Sequence, residues 1–156
     1  MNDFIIKPID EDFNYLFELN DAELKAKGAV KMITDKFPGI PCRVSLEDAR
    51  IGEEVILFPY QHHKTDSPYQ ATGAIFIRKN VEKAQPAVNE IPKFLNHRFL
   101  SLRGYDKSGF MIEAAACDGK IVKEKLIKFF NNPEISYVHI HNAKPGCFNC
   151  VAERMI

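Results

Sequence analysis

Apolar residues change their spacing several times along the chain, and each change predicts an element. Phe4-Ile5-Ile6-Lys7 is a short apolar run that predicts a first strand. Behind Asp10, a capping residue type, Phe13, Leu16 and Phe17 take helical spacing and predict a helix to about Leu19. Asn20 followed three residues later by Glu23 is the capping-box pattern for a second short helix through Leu24, which Gly28 would stop. Ala29 to Thr34 reads as extended. Phe37 to Ser45 carries Pro38, Gly39 and Pro41, so it is loop or turn and delivers Cys42 and Arg43 at its end.

Glu53 to Tyr60 is a strand whose centre, Val55-Ile56-Leu57-Phe58, is apolar on both faces, as in a sheet interior; Ala74-Ile75-Phe76-Ile77 is its natural partner. Between them Gln61 to Thr72 reads as a polar connection, longer than a hairpin needs, with His62, His63, Asp66, Ser67, Pro68 and Tyr69. Long loops on a sheet are where binding groups are often placed. Lys79 to Glu90, with Pro86, is a surface excursion, and Pro92 opens a short helix through Asn96. Phe99 to Tyr105 and Phe110 to Ala116 flank Asp106-Lys107-Ser108-Gly109, a hairpin signal. Asp118 can cap a helix with the apolar stripe Val122, Leu126, Phe129 and Phe130, its lysines forming a solvated face and Pro133 ending it. Ser136 to His141 is then a strand, and Val151 to Met155 another. The sum is α+β: one domain over residues 1–156, a mainly antiparallel sheet, and about three short to medium helices. A doubly wound fold would need regular βαβ units and a Gly-rich βα turn, and the sequence has neither.

Composition narrows the partners. The chain has 156 residues, long enough for a sizeable core, and its 21 basic residues balance 21 acidic ones. No bulk field would hold it on nucleic acid or an anionic membrane, so neither is an expected partner. The first residues lack a basic segment followed by an apolar one, and nowhere do about 18 apolar residues run together, so the expected location is cytoplasmic. In that setting the 4 cysteines read as reduced thiols, buried hydrophobes or ligands, and an oxidised Cys42–Cys147 pair is disfavoured. Oligomeric state is not legible.

The densest group of reactive side chains is His139-Ile140-His141-Asn142 followed by Pro145-Gly146-Cys147. In a strand His139 and His141 share a face, roughly 6 to 7 Å apart, a spacing one metal ion or one anion can bridge. If Val138 and Ile140 face the core, the histidines line the other face, in solvent or under a loop. The plain alternative is a half-exposed strand with two ordinary histidines. Neutral imidazoles in a His-x-His pair suit a divalent transition metal such as zinc, which needs a third ligand: His62, His63, Cys147 and Cys42 are the available ones. Cys147-Phe148-Asn149-Cys150 has the CxxC form, but no second CxxC accompanies it and only six residues follow Cys150. The expectation is therefore that Cys147 belongs to the Pro145-Gly146-Cys147 turn, Cys150 is incidental, and only Cys147→Ser would matter.

Arg43, Arg78 and Arg103 each fall at an expected strand or its end, near Tyr60, Tyr69 and Tyr105. Guanidinium groups on a rigid sheet would make a receptor for a small anionic molecule, a carboxylate or phosphate; surface salt bridges explain the same three arginines. A triad from Asp66, Ser67 and His62 or His139 is countered by the adjacency of acid and nucleophile, and Asp66-Ser67-Pro68 is more naturally a turn.

Pro38-Gly39-Ile40-Pro41-Cys42-Arg43, then Ser45-Leu46-Glu47-Asp48-Ala49, Asp66-Ser67-Pro68-Tyr69, Gly73-Ala74-Ile75-Phe76-Ile77-Arg78 and the His139-to-Cys147 segment resemble the bacterial domain of unknown function 1203 family, in the same order across essentially the whole chain. The resemblance implies a small stand-alone bacterial protein and carries no reaction, cofactor or catalytic residue with it. The family pattern has one cysteine after Pro-Gly, so Cys150 is a departure that weakens a CxxC mechanism. The residues thus nominate a small-molecule or metal site built from the His-x-His strand, Cys147 and the Cys42 and Asp66 loops, with Arg43, Asp66, Tyr69, Arg78, Arg103 and Asn142 as candidate ligand contacts. The competing reading is a non-catalytic binding or protein-interaction module whose histidines and cysteines are structural.

Overall fold

The computed structural model describes residues 2–155. Eight strands form two antiparallel sheets: β1 (Phe4–Lys7), β2 (Val30–Ile33), β3 (Glu54–His63), β4 (Ala71–Arg78), β5 (Phe99–Tyr105), β6 (Met111–Asp118), β7 (Tyr137–Asn142) and β8 (Phe148–Arg154). The larger sheet has the order β1-β8-β7-β5-β6 and the smaller one β2-β3-β4. Two α-helices, α1 (Asp21–Ala26) and α2 (Val122–Phe130), complete the α+β architecture.

The layers follow from alternation along the strands. On one face of the larger sheet Leu100, Leu102, Val138, Ile140, Cys150 and Ala152 pack with Val122, Leu126, Phe129 and Phe130 of α2 into one core. A second core gathers Ile56, Phe58, Ile75 and Ile77 of the smaller sheet with Leu16, Phe17, Leu24 and, from the larger sheet, Phe148. The smaller sheet thus covers part of the face of the larger sheet turned away from α2.

Several expected elements are present as read. The Asn20–Glu23 capping box closes on both sides, at 2.8 and 3.0 Å, and Gly28 takes φ 72° just past α1. Asp106 turns the β5–β6 hairpin, its carboxylate accepting from the backbone N–H groups of Ser108 and Phe110. Other expectations need correction. The stretch behind Asp10 closes only as a 3-10 turn, Asn14–Glu18, with no side-chain cap, and Pro92 likewise precedes a single 3-10 turn, Lys93–Leu95. Among the described residues there are two α-helices where about three were expected, because three or four apolar positions at helical spacing do not offset the nucleation cost of a regular helix. The connection expected over Gln61–Thr72 is much shorter, since β3 continues through His62 and His63. The last strand starts at Phe148, not Val151, so Cys150 lies within it.

Candidate functional site

Strand β7 is central in its sheet, and antiparallel pairing places Tyr105 opposite Tyr137, Arg103 opposite His139 and Ser101 opposite His141. These residues share one face of the sheet. His139 and His141 are neither solvent-exposed nor under a loop: both are buried, and the end of β3 from the other sheet covers them. The β3–β4 pairing slips between Tyr60 and His63, and a bulge of this kind re-aims side chains, so two consecutive residues, His62 and His63, both reach the inter-sheet space. Four imidazoles meet there. His62 lies 6.0 Å from His139 and 5.0 Å from His141, His63 lies 4.9 Å from His139, and His139 lies 6.1 Å from His141, centroid to centroid. Phe148 stacks on His62, while Tyr105 and Tyr137 wall the His63 side.

Hydrogen bonding divides the four rings into two kinds. His63 is satisfied at both nitrogens: Nδ1–H donates to the Tyr69 carbonyl at 2.8 Å, which leaves Nε2 to accept from the Tyr137 hydroxyl at 2.6 Å. His141 donates Nδ1–H to the Gly146 carbonyl at 2.9 Å, which fixes its tautomer with the lone pair on Nε2. That Nε2 has no partner, and neither do Nδ1 of His139 and Nδ1 of His62. Burial, then the neighbouring His63 and Arg103, pushes His62 down to about 4. Burial brings His141 to about 3, against the opposing Gly146 hydrogen bond, and His139, buried and crowded by His63 and His141, to about 2. Near neutral pH all three are uncharged imidazoles, each with a buried ring nitrogen that has no partner.

The other expected site residues gather at the far end of β7. Arg43 is buried, its guanidinium donating to the Phe148 and Pro41 carbonyls at 2.7 and 2.5 Å. Cys147 accepts from Asn142 Nδ2 at 3.1 Å, and Asn149 Nδ2 donates to Asn142 Oδ1. The Cys42 sulfur is buried and accepts from the backbone N–H groups of Ser45 and Arg78. Arg78 is held by Glu53 in a two-pronged pair at 2.7 and 3.0 Å. Asp66 is exposed on the β3–β4 connection, whereas Tyr69 packs on Tyr105 at 6.2 Å and supplies the carbonyl for His63. The expected single site therefore resolves into two groups along β7: His62, His139, His141, Arg103 and Tyr69 around its centre and start, and Cys42, Arg43, Cys147 and Asn142 at its end. Sequence reasoning missed Tyr137 and Phe148, whose aromatic type next to His-x-His was the available signal, and the role of His63 as a satisfied wall residue.

A pocket of about 520 Å³ opens onto two of the histidines, His62 and His139, with Tyr60 and Phe148 also in its lining and Lys7, Asp10, Lys83 and Glu153 around it. Among the described residues no three His, Cys, Asp or Glu side chains stand as a ready-made metal-ligand set. A larger cleft of about 610 Å³ lies elsewhere, past the Asp48–His97 pair, where Arg98 already neutralises the carboxylate with contacts at 2.5 and 3.1 Å. No helix of the described residues is long and apolar enough to cross a membrane.

A family model matches residues 39–154 of the 156-residue chain. The chain belongs to DUF1203, a family of proteins of unknown function. Within the matched DUF1203 region lie all four histidines of the inter-sheet cluster, Arg103, and the Cys42–Arg43 and Cys147 segments. No match was found among curated proteins or among solved structures.

Proposed function

We propose that this protein binds a divalent transition-metal ion between its two sheets, held by His62, His139 and His141. The observation that carries this reading is that three ring nitrogens without a partner, two from β7 and one from β3, lie on rings packed against one another between the sheets. Buried polar atoms in native proteins are almost always satisfied, so three unpaired ring nitrogens within one cluster call for a shared partner, and each neutral ring can offer an electron pair to one ion. The neutral imidazole is the ligand form, and here it needs no proton removed to bind. Imidazoles sharing one zinc at about 2.0–2.1 Å place their ring centroids roughly 5 Å apart, so separations of 5.0, 6.0 and 6.1 Å leave the triangle about 1 Å from closure. Rotation about χ2, a soft torsion, turns the nitrogens toward the ion, and small χ1 adjustments close the remaining separation. The Gly146 carbonyl on the far side of His141 is the kind of outer contact that orients a ligand ring.

Three protein ligands leave a fourth position open, the arrangement of a site that works on a bound molecule rather than one that only braces a fold. Metal analysis of untagged protein after dialysis against zinc or cobalt tests the reading. About one ion per chain is expected, reduced to background in the His139→Ala and His141→Ala double variant. Wild-type protein that retains no ion, or a double variant that retains it equally, overturns the proposal and leaves the cluster a structural one.

A further inference from the structure

Arg103 differs from the other inward-turned arginines of this chain. Arg43 and Arg154 spend their guanidinium groups on backbone carbonyls, and Arg78 and Arg98 on carboxylates. Half-buried Arg103 makes one bond, from Nε to the Ser101 hydroxyl at 3.3 Å, and among the described residues no carboxylate lies within 4.0 Å of it. Apart from the neighbouring Tyr105 hydroxyl, its Nη groups have no partner among the described residues. It stands directly across from His139 on the face that carries the histidine cluster, with Tyr105 two residues on.

Charge makes the requirement sharper. The ion proposed above would sit among three neutral imidazoles beside a guanidinium, a local charge of three positive units with no carboxylate among its proposed ligands to balance it. The acids at the pocket rim are already engaged, Glu153 with Lys7 and Asp10 with Lys83. A concentration of positive charge in a half-buried site is strongly unfavourable unless an anion shares it. A guanidinium with free Nη groups presents two parallel N–H donors, the match for two oxygens of one oxyanion.

We infer that Arg103 anchors the oxyanion group of a small acid, a carboxylate or a phosphate, next to the metal ion, so that the ion's open position and the guanidinium hold one ligand between them. This inference rests on the metal reading for its second contact, and the experiment separates the two. Cobalt-loaded protein is titrated with acetate and, separately, with inorganic phosphate while its visible absorption bands are followed, in the wild type and in the Arg103→Met and Arg103→Lys variants. Metal-free wild-type protein is titrated with the same anions while the Arg103 Nε–Hε resonance is followed by two-dimensional NMR.

One anion is expected to shift the cobalt bands and the Arg103 resonance to saturation. Arg103→Met should need at least about tenfold more of it, with Arg103→Lys between the two. Acetate as the effective anion assigns a carboxylic acid, and phosphate assigns a phosphate ester. Cobalt bands and an Arg103 resonance that respond to neither anion overturn the inference, as do equal responses in wild type and Arg103→Met. An Arg103 resonance that moves in a protein showing no cobalt bands overturns the metal reading and keeps the anion anchor.

Discussion

At the scale of single residues, the decisive feature is that three imidazoles are kept neutral by burial. In the unfolded chain each titrates near 6.5, and in the fold His62, His141 and His139 fall to about 4, 3 and 2. A depressed native value means that, as pH drops below about 6.5, the unfolded state binds protons that the native state refuses. Stability is therefore fully present above pH 6.5 and is lost progressively on acidification toward the native values. Each buried ring contributes a slope of at most about 1.4 kcal/mol per pH unit in that window. Thermal unfolding of the metal-free protein between pH 7.5 and 4.5 should show a steadily falling Tm, and His139→Asn, which removes one titrating ring, should show a shallower fall. Parallel curves for the two proteins would mean that His139 is not held neutral by the fold. That His139 and His141 share a face followed from strand periodicity alone. That His62 and His63 both reach them did not, because a bulge is a property of the pairing between two strands and leaves no mark on the hydrophobic pattern of either.

At the scale of elements, strand β8 shows how one misplaced boundary changes a functional argument. Starting it at Val151 left Cys147 and Cys150 together in a loop, where a CxxC could act as a pair. With β8 beginning at Phe148, a slip in the β7–β8 pairing just after it lets Phe148 face the smaller sheet while Cys150, opposite Ile140, turns to the α2 side and into the core, where burial pushes its thiol up to about 12. Cys147 stays at the turn, half-buried, accepting from Asn142. The two sulfurs belong to different environments, and their burial argues for the opposite order of the two substitutions from the one expected. Cys150→Ser places a hydroxyl in an apolar core and should cost about 1–3 kcal/mol, whereas Cys147→Ser keeps an acceptor for Asn142 and should change stability by less than about 0.5 kcal/mol. Denaturant unfolding of both variants with and without a chelator checks this. Equal losses that disappear on chelation would restore the CxxC as a metal site. Elements with their own local chemistry were legible: the Asn20–Glu23 box, the Asp106 hairpin and the α2 stripe each carry their signal within a few residues. The 3-10 turns were not, since helical spacing over one turn looks the same whether or not a second turn follows.

At the scale of the whole molecule, the cluster exists only because two sheets pack. The sequence indicated mainly antiparallel strands and a helix-covered core, but which strand of the smaller sheet would face β7 depends on contacts made across distant parts of the chain, beyond the reach of periodicity. That dependence has a measurable consequence. On the proposed reading, an ion held by His139 and His141 of the larger sheet and His62 of the smaller one would clamp the two sheets together, so binding would couple to global unfolding. At a metal concentration 100 times its dissociation constant, linkage raises native stability by about 2.7 kcal/mol. For a domain of this size that corresponds to a Tm increase of roughly 5–10 °C, less whatever the thiols and imidazoles of the unfolded chain recover by binding metal themselves. His62→Ala removes the smaller sheet's only ligand while leaving both histidines of β7, and two imidazoles on one strand form neither a closed set nor a bridge. The expected result is a metal-dependent Tm increase in the wild type that is nearly absent in His62→Ala. An increase of the same size in both proteins would place the ion on β7 alone or elsewhere and would remove the two-sheet clamp from the account.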